Sequence, residues 1–241
     1  MFKAKLDDSL IYLKTQSLHT IVSDYDRTLT DEFLNPFEPA LEAIELLKRD
    51  SKIKFMIASG RRLNFFLNQA KIIQLTDAIV AENGAVLHIP KDHITLIFEE
   101  EFASFIKEIF LSSSLPIEEG QVIISVKRIF EREVKRILKE RGLKVELEYN
   151  KDSLMILPTG INKAFGVKKA LSKLGLNEEG ILCIGDGEND LSLFEIAAIK
   201  VATADAIKEL KDKADVVCLE PMALGVTRFL NFLTLKFNLS L

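Results

Sequence analysis

Short apolar runs alternating with helix-period stretches constrain the fold of this chain more than any other feature. The runs fall at residues 20–23, 53–58, 78–81, 181–185, 200–202 and 215–219. Most are apolar throughout, as parallel strands are when helices cover both faces of their sheet. Helix-period stretches lie between them at 38–49, 61–74, 163–174, 190–198 and 204–213, and a last amphipathic helix is expected at 226–237. Asn162 is placed to cap the helix at 163–174, and Gly175 to end it. This βαβ rhythm predicts an α/β fold, a doubly wound parallel sheet with right-handed crossovers. The 241 residues, 48% of them hydrophobic, suffice for such a domain carrying a smaller one.

The middle of the chain follows a different pattern. Strands are expected at 94–98, 121–126, 144–149 and 153–157, with helices at 101–111 and 129–141. Runs such as Leu143-Lys144-Val145-Glu146-Leu147-Glu148-Tyr149 alternate apolar and polar side chains, the mark of a sheet with one wet face. The expectation is a small α+β domain, residues 85–157, inserted between two halves of the core, 1–84 and 158–241. Asn83-Gly84 marks the entry turn and Pro158-Thr159-Gly160 the exit.

Charge and composition exclude some partners. The formal net charge is −4 with no basic stripe, which argues against nucleic acid as the main partner. No apolar run approaches the roughly 18 residues needed to cross a bilayer. Residues 1–19 lack the continuous apolar core of a signal peptide and are expected to form a short helix or an ordered arm. Cys183 and Cys218 sit in apolar runs without metal-type or redox-type spacing, so a reduced, buried pair and a cytoplasmic location are expected. The sequence leaves a homodimer open.

Four segments carry chemistry, each at an expected strand end or helix start. Asp24 and Asp26, in Ser23-Asp24-Tyr25-Asp26-Arg27-Thr28, follow an apolar strand and project to one side of an extended chain. Two carboxylates so close repel unless a cation or proton lies between them, and Mg²⁺ suits oxygen ligands next to a phosphate. Taken alone, the pair reads equally well as a turn or helix cap. Ser59-Gly60-Arg61 ends the second strand, where a hydroxyl and free backbone N–H groups make a phosphate-binding corner. An ordinary N-cap serine would look the same. Lys163 lies in a first helical turn, against the dipole preference for acids, which favours an anion-binding role over a surface lysine. Asp186 and Asp190, in Gly185-Asp186-Gly187-Glu188-Asn189-Asp190, can converge on one metal, although acid-rich helix starts are common.

In this order the four segments resemble the haloacid dehalogenase superfamily of phosphohydrolases, and the inserted α+β pattern resembles its type IIB cap. The chain is similar to Cof-like phosphatases, sucrose-phosphate phosphatases, phosphomannomutases and archaeal phosphoglycolate phosphatases, and looks most like the last. The resemblance implies a Rossmann-like core and a Mg²⁺-dependent phosphomonoester hydrolase. In it Asp24 is the nucleophile and Asp26 the general acid and base. The metal is held by the Asp24 carboxylate, the Asp26 backbone carbonyl and Asp186, with Asp190 orienting it. Ser59, Gly60, Lys163 and Asn189 bind the phosphoryl group. The implied partner is a small-molecule phosphate ester, 2-phosphoglycolate in particular, since the cap is short. Lys127, Arg128 and Glu148 are candidates for specificity, while His88 and His93 read as ordinary structural residues. A broad sugar-phosphate phosphatase, a phosphomannomutase-like mutase and a non-enzymatic phospho-acceptor are the alternatives. The sequence departs from the family at Arg27, where relatives very often carry Gly, and in the arm before Thr20.

Overall fold

The computed structural model describes residues 2–4 and 17–238. The first half of the core runs β1 (Phe2–Ala4), β2 (Thr20–Ser23), α1 (Glu38–Asp50), β3 (Lys54–Ala58), α2 (Leu63–Leu67), α3 (Ala70–Leu75), β4 (Ala78–Ala81), β5 (Val86–Ile89) and β6 (Ile94–Ile97). The middle then contributes α4 (Glu100–Leu111), β7 (Glu118–Glu119), β8 (Ile124–Lys127), α5 (Glu131–Glu140), β9 (Glu146–Asn150) and β10 (Ser153–Leu157). The chain closes with α6 (Lys163–Leu174), β11 (Ile181–Gly185), α7 (Leu191–Ile196), β12 (Ile199–Ala202), α8 (Lys208–Lys213), β13 (Val216–Cys218) and α9 (Met222–Asn238).

Nine strands form one sheet in the order β1-β13-β12-β11-β2-β3-β4-β5-β6. The pairs from β13 across to β4 are parallel, and β1, β5 and β6 add antiparallel edges. Strand residues divide by parity, as an extended chain requires. Ile21, Phe55, Ile57, Ile79, Leu182 and Ile184 join the cluster that holds Ile44 of α1 and Phe229 and Leu233 of α9. Val22, Met56, Val80, Ile181 and Cys183 join the other, with Val167 of α6, Phe194 of α7 and Leu210 of α8. Helices thus cover both faces, which is why these strands carry no polar alternation.

The switch point of the sheet lies between β2 and β11. From β2 the chain continues to β3 on one side, while β11 leads to β12 on the other, so the loops after β2 and β11 part and leave a crevice at their carboxyl ends. Asp24 and Asp186 stand at its two lips, tied by the Asp24 N–H donating to the Ile184 carbonyl at 2.9 Å.

A second sheet, in the order β7-β8-β10-β9, is antiparallel. Ile124 and Val126 of β8 and Leu154 and Ile156 of β10 pack on Ile106 and Phe110 of α4 and Val134 and Leu138 of α5. The opposite parity turns toward the core, with Met155 and Leu157 joining the core cluster. This small unit caps the crevice.

Several expectations are corrected. Residues 86–97 read as the start of the insertion, but β5 and β6 extend the large sheet; Val86 and Leu87 are buried on its opposite faces. The strand expected at 94–98 in the cap therefore pairs in the large sheet, as β6. The helix expected at 61–74 breaks into α2 and α3 at Asn68-Gln69, where the Gln69 side chain accepts a hydrogen bond from the Tyr25 hydroxyl at 3.1 Å. The cap strand expected at 121–126 forms later, as β8, because residues 121–123 give their amides to the core. His88 and His93 are structural: His88 Nδ1 lies 2.9 Å from Thr95 Oγ1 across the β5–β6 pair, and His93 occupies a left-handed turn position with φ 53°. Within the N-terminal arm, β1 pairs with β13; residues 5–16 of the short helix or ordered arm expected over 1–19 lie outside the described residues. No helix of the described residues is long and apolar enough to cross a membrane.

Candidate active site

The loop after β2 is built by the same alternation that built the strand. Asp24 and Asp26 point into the crevice, and Tyr25 between them is fully buried on the other side, edge-on to Phe65 and Phe66 with ring centroids 5.6 and 5.1 Å away. Two edge-to-face contacts of this kind hold an aromatic anchor in a fixed orientation. Arg27 turns the chain with φ 60°, and its N–H donates to Thr30 Oγ1 at 2.7 Å. A left-handed residue at this corner explains why Gly suits it.

Lys163 is the hub. Its helix α6 starts where Asn162 Oδ1 accepts the Phe165 N–H at 2.9 Å and ends at Gly175, φ 69°, both as read from the sequence. The fully buried ammonium lies 2.5 Å from Asp24 Oδ1 and 2.6 Å from Asp190 Oδ1. Burial alone would pull the lysine pKa down; Asp190 and Asp24 outweigh it and hold it above the ordinary value. Asp190 is equally committed, since its Oδ2 accepts the N–H groups of Asp186 and Gly187 at 2.9 and 3.0 Å. Gly185 permits this packing, because a Cβ there would stand 2.6 Å from the Asp190 carboxyl carbon.

Carboxylate oxygens of Asp24, Asp186 and Asp190 lie within 4.8 Å of one another, all three residues buried. Burial raises the Asp24 pKa well above the usual carboxylate value against the pull of Lys163, and Asp190, Asp186 and Asp26 add to the rise. Asp186 is pushed up to about 6 by burial and by Asp190, with Lys151 opposing. A cluster of hard oxygen donors that resist ionising together fits a small divalent cation.

The Asp26 carboxylate lies outside that cluster. Arg61 grips it from Nε at 2.8 and 2.9 Å and from Nη2 at 2.6 Å, while the guanidinium carbon stacks 3.9 Å from the centre of the Phe65 ring. Ser59 and Gly60 line the same cavity of about 440 Å³ as Asp24, Asp26, Arg61 and Arg62. Its far wall comes from the cap, chiefly Ser125, Asn150 and Ser153. Asn189 stands behind it, its Nδ2 donating to Asn83 Oδ1 at 3.1 Å. Of the residues singled out in the sequence, Asp24, Lys163, Asp186 and Asp190 meet in the buried cluster, and Asp24, Asp26, Ser59 and Gly60 line the cavity. Sequence reading gave no role to Arg61, although the residue lies within the quoted Ser59-Gly60-Arg61 segment, and it passed over Lys151.

Lys151 sits at the tip of the β9–β10 hairpin, φ 52°, and its ammonium lies 2.6 Å from Asp186 Oδ2. Its N–H donates to Glu188 Oε2 at 3.2 Å, and Arg128 reaches Glu188 Oε1 at 3.3 Å. The cap hairpin therefore closes on the loop that carries Asp186. Of the other cap candidates, Lys127 lines a neighbouring cavity of about 790 Å³, and Glu148 faces the core with a buried, unpartnered Oε2 and is pushed up to about 8 by burial.

The Asp186 shift has a stability consequence with a definite sign. A carboxyl group whose folded pKa is raised holds its proton better in the folded chain, so its contribution is full below pH 4 and lost as pH rises through about 6. In chelator, this group should cost the protein on the order of 2–3 kcal/mol between pH 4 and 7.5. Urea denaturation of the wild type and of Asp186→Asn at both pH values isolates it: the variant should gain on the wild type as pH rises, and parallel pH profiles would contradict the reading.

A profile described as haloacid dehalogenase-like hydrolase matches residues 21–117 and 120–230. A phosphoglycolate phosphatase of Sulfurisphaera tokodaii is 33% identical over 214 residues, 87% of this chain and 92% of that protein. A phosphoglycolate phosphatase 2 of Saccharolobus solfataricus is 32% identical over 215 residues, covering 88% and 90%. Among solved structures, a Thermoplasma acidophilum protein superposes with a TM-score of 0.74 at 21% identity, over 90% of this chain and 99% of that one. A sugar phosphatase of haloacid dehalogenase subclass IIB gives 0.72 at 20% identity, over 89% and 98%, which shows the same fold. The chain belongs to the haloacid dehalogenase-like hydrolases. Within that family it is a phosphomonoester hydrolase.

Proposed function

We propose that this chain hydrolyses 2-phosphoglycolate, or a phosphate monoester of similar size, through an aspartyl phosphate on Asp24, with Mg²⁺ as cofactor and the cytoplasm as its location. The observation that carries the reading is the buried set Asp24, Lys163, Asp186 and Asp190 at the switch point of the sheet, whose Asp24 also lines a cavity sized for a small ligand. Two relatives at about a third identity bear the name phosphoglycolate phosphatase, which supports the substrate.

Asp24 Oδ forms a bond to phosphorus as the ester oxygen leaves with the bonding pair. Asp26 gives that oxygen a proton, then takes one from the water that cleaves the acyl phosphate and regenerates Asp24. Arg61 holds Asp26 until a bound phosphate offers the guanidinium a second anion and frees the carboxyl group. Lys163 and the Ser59 hydroxyl meet the charge on the phosphoryl oxygens, which is most of the work in phosphoryl transfer. Mg²⁺, held by the carboxylates of Asp24 and Asp186 and the Asp26 carbonyl, with Asp190 orienting it, would supply further neutralisation there. Arg62, exposed at the cavity rim, suits the substrate carboxylate.

One observation favours a second reading. The cavity of about 790 Å³ shares Asp26, Ser125, Asn150 and Ser153 with the first, so a sugar phosphate could extend into it. Phosphate release with Mg²⁺ from 2-phosphoglycolate, sugar phosphates, phosphoglycerates, nucleotides and p-nitrophenyl phosphate decides between them. Preference for phosphoglycolate supports the first reading, and preference for sugar phosphates overturns it.

Lys151 shares Asp186 with the metal in this scheme. A divalent cation on that carboxylate repels the ammonium, so Lys151→Ala should bind Mg²⁺ roughly 3- to 10-fold more tightly in calorimetry without substrate, as expected for losing one partly exposed ion pair. Weaker binding in the variant would show instead that Lys151 assists the metal.

A further inference from the structure

Glu82 is fully buried, and buried carboxylates are seldom left without a cation. Among the described residues it pairs with no lysine or arginine but with three backbone amides of the cap. Gln121 N–H donates to Oε1 at 2.6 Å, and Val122 and Ile123 N–H donate to Oε2 at 2.8 and 3.1 Å. Such charge-assisted bonds are stronger than those between neutral groups. Gly120 packs directly on the carboxylate, where a Cβ would come within 2.5 Å of Oε2.

The rest of the turn makes further ties. Asn83 Oδ1 accepts from Asn189, while its Nδ2 contacts Met155 Sδ of β10 at 2.9 Å. Gly84, φ 104°, lies so close to the start of α6 that a Cβ would stand 2.0 Å from the Asn162 carbonyl oxygen. Glu82 and Asn83 both have φ 49°, a conformation side chains rarely adopt and one that clusters where geometry is constrained for function. Three consecutive left-handed residues thus touch the cap loop, a cap strand, the Asn189 loop and the residue that caps the Lys163 helix.

We propose that the turn 82–84 is the joint that sets the cap against the catalytic edge, with Glu82 as a positioning residue. Its carboxylate fixes the 120–123 loop, whose Gly120 and Ile123 line the cavity together with the cap residues Ser125, Asn150 and Ser153. The phosphoryl-transfer groups all stand on the core and do not depend on that loop. Loss of the anchor therefore weakens the hold on the substrate's organic part and spares the chemical step.

The test is Glu82→Gln in the full chain, because an amide keeps the shape but presents a donor to amides that need acceptors. Hydrogen exchange should accelerate roughly tenfold or more at residues 121–123, the effect of one lost hydrogen bond of this kind, with the core strands unchanged. With Mg²⁺, KM for p-nitrophenyl phosphate and for 2-phosphoglycolate should rise several-fold while kcat holds within about twofold. Gly120→Ala strains the same joint from the cap side with Glu82 intact, and should reproduce both effects if the Gln variant does not fold. Unchanged exchange at 121–123, acceleration throughout the core, or a fall in kcat at constant KM would each overturn the proposal. The exchange readout needs no substrate, so it stands or falls separately from the phosphoglycolate reading.

Discussion

Asp24→Asn should lower turnover of every ester the enzyme hydrolyses by roughly 10⁴-fold or more, the scale seen when a covalent nucleophile is removed. The amide keeps the volume of the carboxyl group and removes a charge that burial and three neighbouring acids disfavour more than Lys163 favours it, and Asp190 remains to pair that lysine. The variant should therefore match or exceed the wild type in urea denaturation at neutral pH. Lost activity with retained stability assigns Asp24 to chemistry. Activity within tenfold of the wild type, in a metal-replete assay, would remove it from the nucleophile's role.

Lys163→Met is expected to strike both stability and rate. The wild-type ammonium holds Asp24 and Asp190 in a site closed to water. Stripping the cation from buried partners costs about 3–5 kcal/mol in comparable cases, because the acids remain behind uncompensated. The loss should shrink in acid, where Asp24 with its raised pKa takes up a proton and needs no counter-ion. Turnover should fall by roughly 10³-fold as a donor to the phosphoryl oxygens disappears. Urea denaturation at pH 5 and pH 7.5 checks the first effect and steady-state kinetics the second. A variant as stable as the wild type at both pH values would contradict the account of Lys163 as the hub.

Local patterns in the sequence revealed much of this architecture, since covered strands must be apolar on both faces and helix α6 announces itself by Asn162 and Gly175. The same logic placed Asp24, Asp26, Ser59, Lys163, Asp186 and Asp190 at strand ends and helix starts, and the fold brings them to one edge of one sheet. What stayed hidden depends on partners distant in the chain. Residues 86–97 form a β-hairpin whose sheet is decided by pairing with β4, and no local pattern distinguishes that from a hairpin in the cap. Arg61 reaches back to Asp26 across 35 positions, and Lys151 reaches forward to Asp186 across another 35. Glu82, in an Asn-Gly turn, looks like a solvated acid until the cap amides come to it. Arg27 was conspicuous as a departure, and its left-handed φ supplies the reason.

The central claim is that phosphate passes through Asp24, and Asp26→Asn with p-nitrophenyl phosphate tests it most directly. Nitrophenolate leaves without help from an acid, so the first step proceeds while the second lacks its base. The account predicts a burst of nitrophenolate approaching one equivalent per active site, followed by slow turnover, with acid-stable phosphate on Asp24 in the mass spectrum of the quenched protein. Steady release without a burst, and an unmodified Asp24 throughout, would contradict it.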